Sequence, residues 1–234
     1  MNAFLIFCCI LFSVSYSTPL HPCVQLASAK SFALLVGITM TNAGATVVRG
    51  NLGLSPGTSV TAFPSGIVSS GTQHVVDTNA SQAQADLVAA YNQAFLAAKT
   101  QDLSGVNLCA LVLHPGVYKF DSSAFLTSGN LTLTGGGVYI FQTSSTLITF
   151  GNSNVLLKRG AKPGCVFWQV GSSATLGSGT NFQGNIMATT SITFNSGANL
   201  KDSTYAINAA ITLIGNHITR QAGCTLCERC RHQL

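Results

Sequence analysis

The sequence predicts a mainly β protein: a parallel β-helix of triangular cross-section with one long α-helix packed along one face. In residues 130–213, short apolar runs such as VYIF and CVFWQV are separated by two to seven residues of Gly, Ser, Thr and Asn, which is typical of short strands. Equivalent strand ends at Leu176, Phe194 and Leu213 recur after 18 and 19 residues. A repeat of this length with no helix inside it indicates a solenoid, and three short strands per repeat give it three faces.

The three faces differ in their apolar patterns. Residues 165–170 are apolar at successive positions, as are the equivalent residues 186–188 and 205–207, so both sides of that sheet are expected to be buried. The runs that end at the three positions above alternate instead, with one side inward and the other outward. We expect the long helix to cover the first sheet.

The N-terminal half contains a similar repeat. Residues 31–54 form short apolar bursts bounded by Gly and Asn, which predicts one more turn of the same solenoid. Ser55-Pro56-Gly57 is predicted to be a turn. The Ser-, Gly- and Thr-rich stretch that follows, as far as Val76, is expected to be irregular.

A change of apolar period at residues 77–99 predicts the long helix. Its apolar stripe has spacings of three and four, and Asp77 or Thr78 can serve as the N-cap. Because most of the stripe is alanine, the helix axis is expected to lie close to the strands, with Tyr91 serving in packing. The stripe consists of Ala80, Ala83, Leu87, Ala90, Tyr91, Ala94 and Ala98.

Composition and the N-terminus indicate a secreted protein. Residues 4–14 form an apolar run of the length found in secretory signals, and the small residues Ser15 and Ser17 follow, so residues 1–17 are predicted to be a signal peptide. No later run is long enough to span a membrane. We therefore expect a domain at 18–222, including the helix at 77–99, and a Cys-rich tail at 223–234.

Charge is scarce, which limits the partners. Only 7% of the residues are charged, and the net charge of +5 reflects few acids and 11 mostly scattered Lys and Arg residues. The short cluster Lys158, Arg159 and Lys162 is expected to be a solvated loop, because a basic groove with interleaved aromatic residues is absent. We predict no nucleic-acid partner, no membrane partner and a monomer.

Six cysteines remain after the signal peptide, and in an oxidising compartment they could form three disulfides in any of 15 pairings. Cys224, Cys227, Cys230 and His232 also have spacings suited to zinc. The secreted context favours disulfides, with Cys23 holding the N-terminal segment, so no metal and no cofactor are predicted. The pairing of these cysteines is left open, as is the use of the glycosylation sequons at Asn79 and Asn130.

The acidic residues do not suggest catalysis. A polysaccharide-cleaving enzyme on this scaffold would need paired carboxylates, a calcium site or an activated base. No two of the acids occupy equivalent positions in neighbouring repeats, and no Ser-His-Asp spacing is present, so no catalytic residue is predicted. The acids after the signal peptide are Asp77, Asp86, Asp102, Asp121, Asp202 and Glu228.

A column of small polar residues is the first candidate binding surface. An Asn precedes an apolar residue in successive repeats, and stacked coils place equivalent side chains about 4.7–4.9 Å apart. Such a flat, nearly uncharged surface fits a repeating target better than a small ligand, although Asn and Gly could equally serve only as coil corners. The candidates are Thr46, Ser128, Asn130, Asn152, Asn154, Thr180, Asn181 and Asn199; the alternative face carries Thr175, Ser191, Thr193 and Thr212.

Several segments also resemble a known family in order and spacing. They include SFALLVGITMTNAGATVVRGNLGLSPGTSVTAF, LHPGVYKF, GGVYIFQTSSTL and VFWQVGSSATLGSGTNFQGNIMATTSIT, and together with AINAAITL they resemble the ice-binding (antifreeze) proteins of a widespread microbial family. That family has a discontinuous right-handed β-helix with a long flanking helix. The resemblance implies secretion, no catalysis and adsorption to ice through a flat face.

The resemblance also bears on the site. Some members of the family carry a Thr-Ala/Gly-x-Thr/Asn motif on the ice-binding face, and this chain has 178–181 and 196–199, SGTN and SGAN, with Ser at the first position. The predicted function is therefore ice binding, with thermal hysteresis and inhibition of ice recrystallisation. The alternative is a carbohydrate-binding or adhesion module that uses the same ladder on a repetitive glycan. A glycan on Asn130 would spoil the Asn column, so glycosylation there in active protein would favour the threonine face.

Overall fold

The computed structural model describes residues 23–229 and confirms a parallel β-helix flanked by one long helix. The predicted signal peptide at 1–17, and Cys230 and His232 of the tail, lie outside the described residues. The strands before the long helix are β1 Phe32–Val36, β2 Thr39–Ala43, β3 Val47–Arg49, β4 Asn51–Leu54, β5 Ser59–Thr61, β6 Ile67–Ser69 and β7 Gln73–Val75.

The long helix α1 (Thr78–Leu96) leads to the main array, and a short helix α2 (Thr225–Arg229) lies in the tail. The later strands are β8 Gln101–Asp102, β9 Val112–Leu113, β10 Gly116–Phe120, β11 Ala124–Leu126, β12 Asn130–Thr134, β13 Tyr139–Thr143, β14 Leu147–Thr149, β15 Asn154–Lys158, β16 Val166–Val170, β17 Ala174–Leu176, β18 Asn181–Gln183, β19 Asn185–Ala188, β20 Ile192–Phe194, β21 Asn199–Lys201, β22 Thr204–Ala206, β23 Ile211–Ile214 and β24 His217–Thr219. Short 3₁₀ segments span Ala27–Ser31 and Pro163–Cys165.

The strands form three parallel sheets, and successive strands of each coil lie in sheets A, B and C. Sheet A has the order β7-β4-β1-β22-β19-β16-β13-β10-β8, sheet B the order β11-β14-β17-β20-β23-β2-β5, and sheet C the order β6-β3-β24-β21-β18-β15-β12-β9. The N-terminal strands β1, β2 and β3 pair with β22, β23 and β24 of the last coil. The solenoid is therefore continuous in space but discontinuous in sequence, and α1 carries the chain back to the opposite end, where β8 begins.

Inward side chains fill the solenoid and stack along its axis. Tyr118 lies 5.3 Å from Phe141, and Phe141 lies 3.9 Å from Trp168, measured between ring centroids. Parallel register produces this stack, because Phe141 pairs directly with Trp168 on the neighbouring strand. Close packing of this kind makes the coils a rigid scaffold for whatever their outer surfaces carry.

The helix covers sheet A, as the continuous apolar runs predict. Ala83, Leu87 and Ala90 are buried against the outward side chains of that sheet, which include Phe167 and Met187. The prediction at 77–99 is confirmed with small shifts at its ends. Asp77 is the N-cap and accepts a 2.8 Å hydrogen bond from the Ala80 N–H. The helix ends at Leu96, so Ala98 is exposed and is not part of the buried stripe.

Sheet A also binds the helix through two amide side chains. The Gln142 amide nitrogen donates to the carbonyl oxygens of Ala94 at 2.7 Å and Ala97 at 2.8 Å, which satisfies acceptors that a helix C-terminus leaves open. The Gln169 amide nitrogen donates to the Tyr91 hydroxyl at 2.6 Å, so Tyr91 has the packing role predicted for it.

The prediction that the stretch from 58 to Val76 is irregular is wrong. This stretch is not irregular but forms β5, β6 and β7, which add another coil at one end of the solenoid. These strands are short and largely exposed. Their backbones are held by hydrogen bonds to the preceding coil, and therefore strong apolar periodicity is not required to form them.

Two disulfides hold the N-terminal segment and the tail to the solenoid. Cys23 is bonded to Cys227, and Cys165 is bonded to Cys224. The predicted formation of disulfides by the tail is thus confirmed for Cys224 and Cys227. Cys109 is a free thiol. No group of three potential metal ligands occurs within residues 23–229. In the same range no helix is long and apolar enough to cross a membrane.

Candidate functional site

The outer surface of sheet B carries a straight row of threonines, which we call the threonine rank. Its members lie on successive strands and are direct neighbours in the parallel register. With adjacent strands about 4.8 Å apart, five residues make a row roughly 19 Å long. In spatial order the rank consists of Thr175, Thr193, Thr212, Thr41 and Thr61.

A second row of small side chains runs beside the threonine rank. It lies two residues before each threonine, within the strand or just ahead of it where the ladder hydrogen bonds continue, so it faces the same way and is separated from the first row by about 6.6 Å. Residues between the two rows, such as Met40, Ile192 and Ile211, point inward and are fully buried. In spatial order the second row consists of Ser173, Ser191, Ala210, Thr39 and Ser59.

The hydroxyl groups of the threonine rank are available to solvent. Thr41 and Thr61 are exposed, and the other three are half-buried between their neighbours. Across residues 23–229, none of the five hydroxyls forms a hydrogen bond to protein. Each therefore presents a donor, an acceptor and a methyl group to water at a fixed position.

The rest of this surface is uncharged. The strands of sheet B contain no Asp, Glu, Lys or Arg. Beyond Thr175 the rank continues into Ile148 and Phe125, and Phe125 is 39% exposed. Ile214, which is 38% exposed, ends the strand next to β2. The surface thus combines regularly spaced hydroxyls with apolar groups and has no long charged side chain.

The Asn column of sheet C has a different chemistry, because its amides bond to one another. The Asn154 amide nitrogen donates to Asn130 at 3.0 Å, Asn181 donates to Asn154 at 3.0 Å, and Asn199 donates to Asn181 at 3.3 Å. The His217 backbone N–H closes the series on the Asn199 side-chain oxygen at 3.2 Å. This asparagine ladder satisfies its own hydrogen bonds and stabilises the stacking of successive coils.

Each asparagine of the ladder is the first residue of a sheet C strand, at the corner that follows sheet B. Asn152, with a φ of 58°, and Gly179, with a φ of 68°, occupy equivalent left-handed positions two residues before their ladder asparagines. Asn and Gly are the residues that tolerate this conformation. Ser128 is exposed in the matching turn before Asn130. These residues form the coil corners, the role predicted for Asn and Gly as the alternative to a binding surface.

The prediction that Thr46 and Thr180 belong to the binding surface is wrong, because both side chains face the interior. Thr46 and Thr180 are each 0% exposed. The Thr180 hydroxyl contacts the Thr149 hydroxyl at 3.1 Å and donates to the Phe150 carbonyl at 3.1 Å. The Thr46 hydroxyl accepts from the Asn216 N–H at 3.1 Å. A side chain enclosed in this way cannot touch an external surface.

Sheet C is also rougher and more polar than sheet B. Its outward positions include Lys201 and Arg49, which flank Thr219 in the register and are exposed. Gln183 lies in register with Lys201 on the next strand. Long, flexible charged side chains keep their own hydration and do not form a flat surface.

Comparison with known proteins agrees with the architecture. A family model described as "Ice-binding-like" matches residues 34–219, which is most of the chain. The chain belongs to the ice-binding-like family. An ice-binding protein of Nostoc sp. (strain HG1) is 46% identical over 200 residues, which cover 83% of this chain and 73% of that protein.

Solved structures of ice-binding proteins show the same fold. One, from an Antarctic biological consortium, is 42% identical with a TM-score of 0.82, and the match covers 84% of this chain and 90% of that one. Another, from the Antarctic ascomycete Antarctomyces psychrotrophicus, is 37% identical with a TM-score of 0.81, covering 86% of this chain and 99% of that one. These relatives are named for ice binding and not for an enzymatic activity.

The carboxylates of this family member are dispersed and mostly have structural partners. Asp77 caps α1 and contacts His74 at 2.6 Å, and these bonds lower the pKa of Asp77. Asp102 forms an ion pair with Lys99 at 2.8 Å, which holds the pKa of that carboxyl well below its usual range. Asp202 is 3% exposed, and burial raises its pKa to about 6.

Sequence reasoning missed part of the threonine rank. The prediction for the alternative face named Thr175, Ser191, Thr193 and Thr212, and these residues do share one surface. It did not include Thr41 and Thr61, which the N-terminal coils add to the same row. The signal was present as TMT at 39–41 and SVT at 59–61, the same alternation of hydroxyl and apolar residues.

Proposed function

We propose that this chain is a secreted ice-binding protein that adsorbs to ice through the outer surface of sheet B. Adsorption would cause thermal hysteresis and inhibit ice recrystallisation. The observation that carries the proposal is the threonine rank, whose five hydroxyls have no hydrogen-bond partner in residues 23–229. Membership of the ice-binding-like family and the names of the relatives support it.

The physical basis is the ordering of water over a rigid, repetitive surface. Threonine methyl groups restrict the orientations of adjacent water, and the hydroxyls fix some of those waters by hydrogen bonds. Because the strands are held by a packed core, the surface loses little conformational entropy when ice forms against it. Individually weak contacts then add along the rank, and the bound protein blocks further growth of the crystal there.

The asparagine ladder is the weaker candidate for the ice-binding surface. Its amides already use one another as partners, at 3.0–3.3 Å, and its sheet carries the exposed cations Arg49 and Lys201. Hydrated charges would hold liquid-like water next to the ladder. We therefore assign adsorption to sheet B and coil stacking to the ladder.

Other parts of the proposal follow from sequence and composition. The apolar N-terminal run and the two disulfides fit secretion into an oxidising compartment. Dispersed carboxylates fit a protein without catalytic activity. We propose that the chain acts as a monomer, with ice as the partner of sheet B and with neither nucleic acid nor a membrane as a partner.

Ice-affinity partitioning tests the assignment of the surface. Thr212→Tyr places a ring in the middle of the threonine rank, and Thr219→Tyr makes the same change on sheet C. We expect the wild type and Thr219→Tyr to be captured by a slowly growing ice front and Thr212→Tyr to remain in the liquid. Exclusion of the wild type would refute ice binding, and equal capture of the two variants would refute the assignment to sheet B.

A further inference from the structure

The positive charge of this protein is concentrated on one edge of the solenoid. The sequence contains 11 Lys and Arg residues, of which Arg229 and Arg231 belong to the tail. Seven of the remaining nine lie at or just after the ends of sheet C strands, in the loop that follows β15, or just before β1 of sheet A, and all seven are exposed. This basic edge consists of Lys30, Arg49, Lys158, Arg159, Lys162, Lys201 and Arg220.

Backbone pairing brings part of the basic edge together. Arg49 and Lys201 end strands of sheet C that flank the same strand, β24. Arg220 follows that strand, and its N–H donates to the Arg49 carbonyl at 3.0 Å. The Arg220 guanidinium donates to the Lys30 carbonyl at 3.2 Å. Four of the seven cations therefore form one continuous patch.

The loop at 158–162 joins this patch through Gly164. The Gly164 carbonyl accepts a 3.4 Å hydrogen bond from the Asn185 amide, which also donates to the Asp202 carboxylate at 3.4 Å. Asp202 immediately follows Lys201, and the Gln221 N–H donates to it at 3.5 Å. Lys158 ends β15, which lies two strands from β21, so the remaining three cations extend the patch along the axis of the solenoid.

Acidic residues pair with the two cations of residues 23–227 that lie outside this edge. Lys99 pairs with Asp102 at 2.8 Å and Lys119 with Asp121 at 3.1 Å. Two described carboxylates lie near the basic edge. Asp202 is buried and interacts electrostatically with Arg220, and Asp86 accepts a hydrogen bond from the Ser28 N–H, two residues before Lys30. Leaving Lys30 aside, the other six cations form no ion pair with any residue in 23–227. Such a row of six cations on a rigid rod attracts a polymer of opposite charge.

We propose that the basic edge binds an extracellular acidic polysaccharide, a linear polymer with regularly spaced carboxylate or sulfate groups. The exposed aromatic side chains Phe95, Phe125 and Phe150 lie on α1 and near sheet B. The edge therefore lacks the aromatic platforms that single-stranded nucleic acids use and the aromatic anchors typical of membrane interfaces. This surface and its charge-based chemistry are separate from the asparagine ladder.

A polymer bound to the basic edge would not cover the proposed ice-binding surface. In a triangular solenoid the edge between sheets C and A lies opposite sheet B. A polymer bound there would leave the threonine rank free and facing outward, a consequence that rests on the proposed function. The protein could then be retained in an acidic extracellular matrix and still adsorb to ice.

Binding of the mature chain to immobilised alginate tests the proposal, with neutral dextran as the reference surface. Arg49→Gln/Lys201→Gln removes two charges from the basic edge, and Lys99→Gln/Lys119→Gln removes two charges from ion pairs elsewhere. We expect the first variant to bind alginate about tenfold more weakly and the second to change affinity by less than about twofold. Circular dichroism establishes that both variants are folded.

Several outcomes would overturn the proposal: equal losses in the two variants, wild-type binding no tighter than to dextran, or tighter binding to phosphatidylserine vesicles or duplex DNA than to alginate. Thr212→Tyr is expected to bind alginate like the wild type, so failure of ice binding and failure of polymer binding are distinguishable. Thermal hysteresis should persist when soluble alginate saturates the protein, and its loss would contradict the proposed position of the polymer.

Discussion

Replacing Asn181 by alanine removes two side-chain hydrogen bonds from the asparagine ladder. Asn181 donates to Asn154 at 3.0 Å and accepts from Asn199 at 3.3 Å. A net contribution of about 0.5–1.5 kcal/mol for each bond gives an expected loss of about 1–3 kcal/mol in the free energy of unfolding. The two groups left behind can bond to water at this exposed corner, so no burial penalty is added.

The matched control is Thr193→Ala. Thr193 occupies an equivalent outward position on sheet B but has no hydrogen-bond partner in residues 23–229, so its removal should change stability by less than about 0.5 kcal/mol. Urea unfolding monitored by circular dichroism measures both variants, and an unchanged m-value shows that the midpoints can be compared. If Asn181→Ala costs no more than Thr193→Ala, the ladder does not stabilise the stacked coils.

Three further predictions concern the buried acid, the tail and the sequon. Because burial raises the pKa of Asp202 from 3.8 to about 6, its folded form retains a proton that the unfolded chain loses. Ionisation of this carboxyl should therefore lower the free energy of unfolding as pH rises from about 4 to 6. In urea titrations, Asp202→Asn should have a free energy of unfolding at most about 3 kcal/mol above that of the wild type at pH 7, and almost the same value as the wild type at pH 4. Cys165→Ser/Cys224→Ser opens a disulfide that spans 59 residues and should lower stability by about 2–4 kcal/mol, whereas an unchanged thermal midpoint would contradict a stapling role for the tail. Asn130 uses its side-chain oxygen in the ladder and begins β12 of sheet C, outside the threonine rank, so enzymatic removal of any glycan there should leave thermal hysteresis unchanged.

The elements that could be predicted from the sequence are those with strong local periodicity. The alternation that ends at Phe194 and Leu213 follows directly from one buried and one exposed side of a strand. The small-residue stripe of α1 likewise identified the side of the helix that packs on sheet A. In both cases the positions that are apolar in the sequence are the positions that are buried in the structure.

The corners and the non-local stacking could not be predicted in the same way. Left-handed residues such as Gly179 interrupt the alternation, so Thr180 points inward while Asn181, the next residue, is exposed. Thr41 joins the threonine rank only because β2 pairs with β23, about 170 residues later in the chain. Likewise, β5 and β6 are held as strands by the coil they pair with, because three residues are too short a pattern to predict a strand alone.

Thermal hysteresis of Thr193→Tyr and Asn181→Tyr, measured at equal concentrations of folded protein, tests the central claim most directly. The two substitutions place the same bulky side chain within the threonine rank and within the asparagine ladder. We predict that Thr193→Tyr loses most of the wild-type hysteresis and that Asn181→Tyr retains it. Loss in Asn181→Tyr with retention in Thr193→Tyr would contradict the assignment and move ice binding to the corner between sheets B and C.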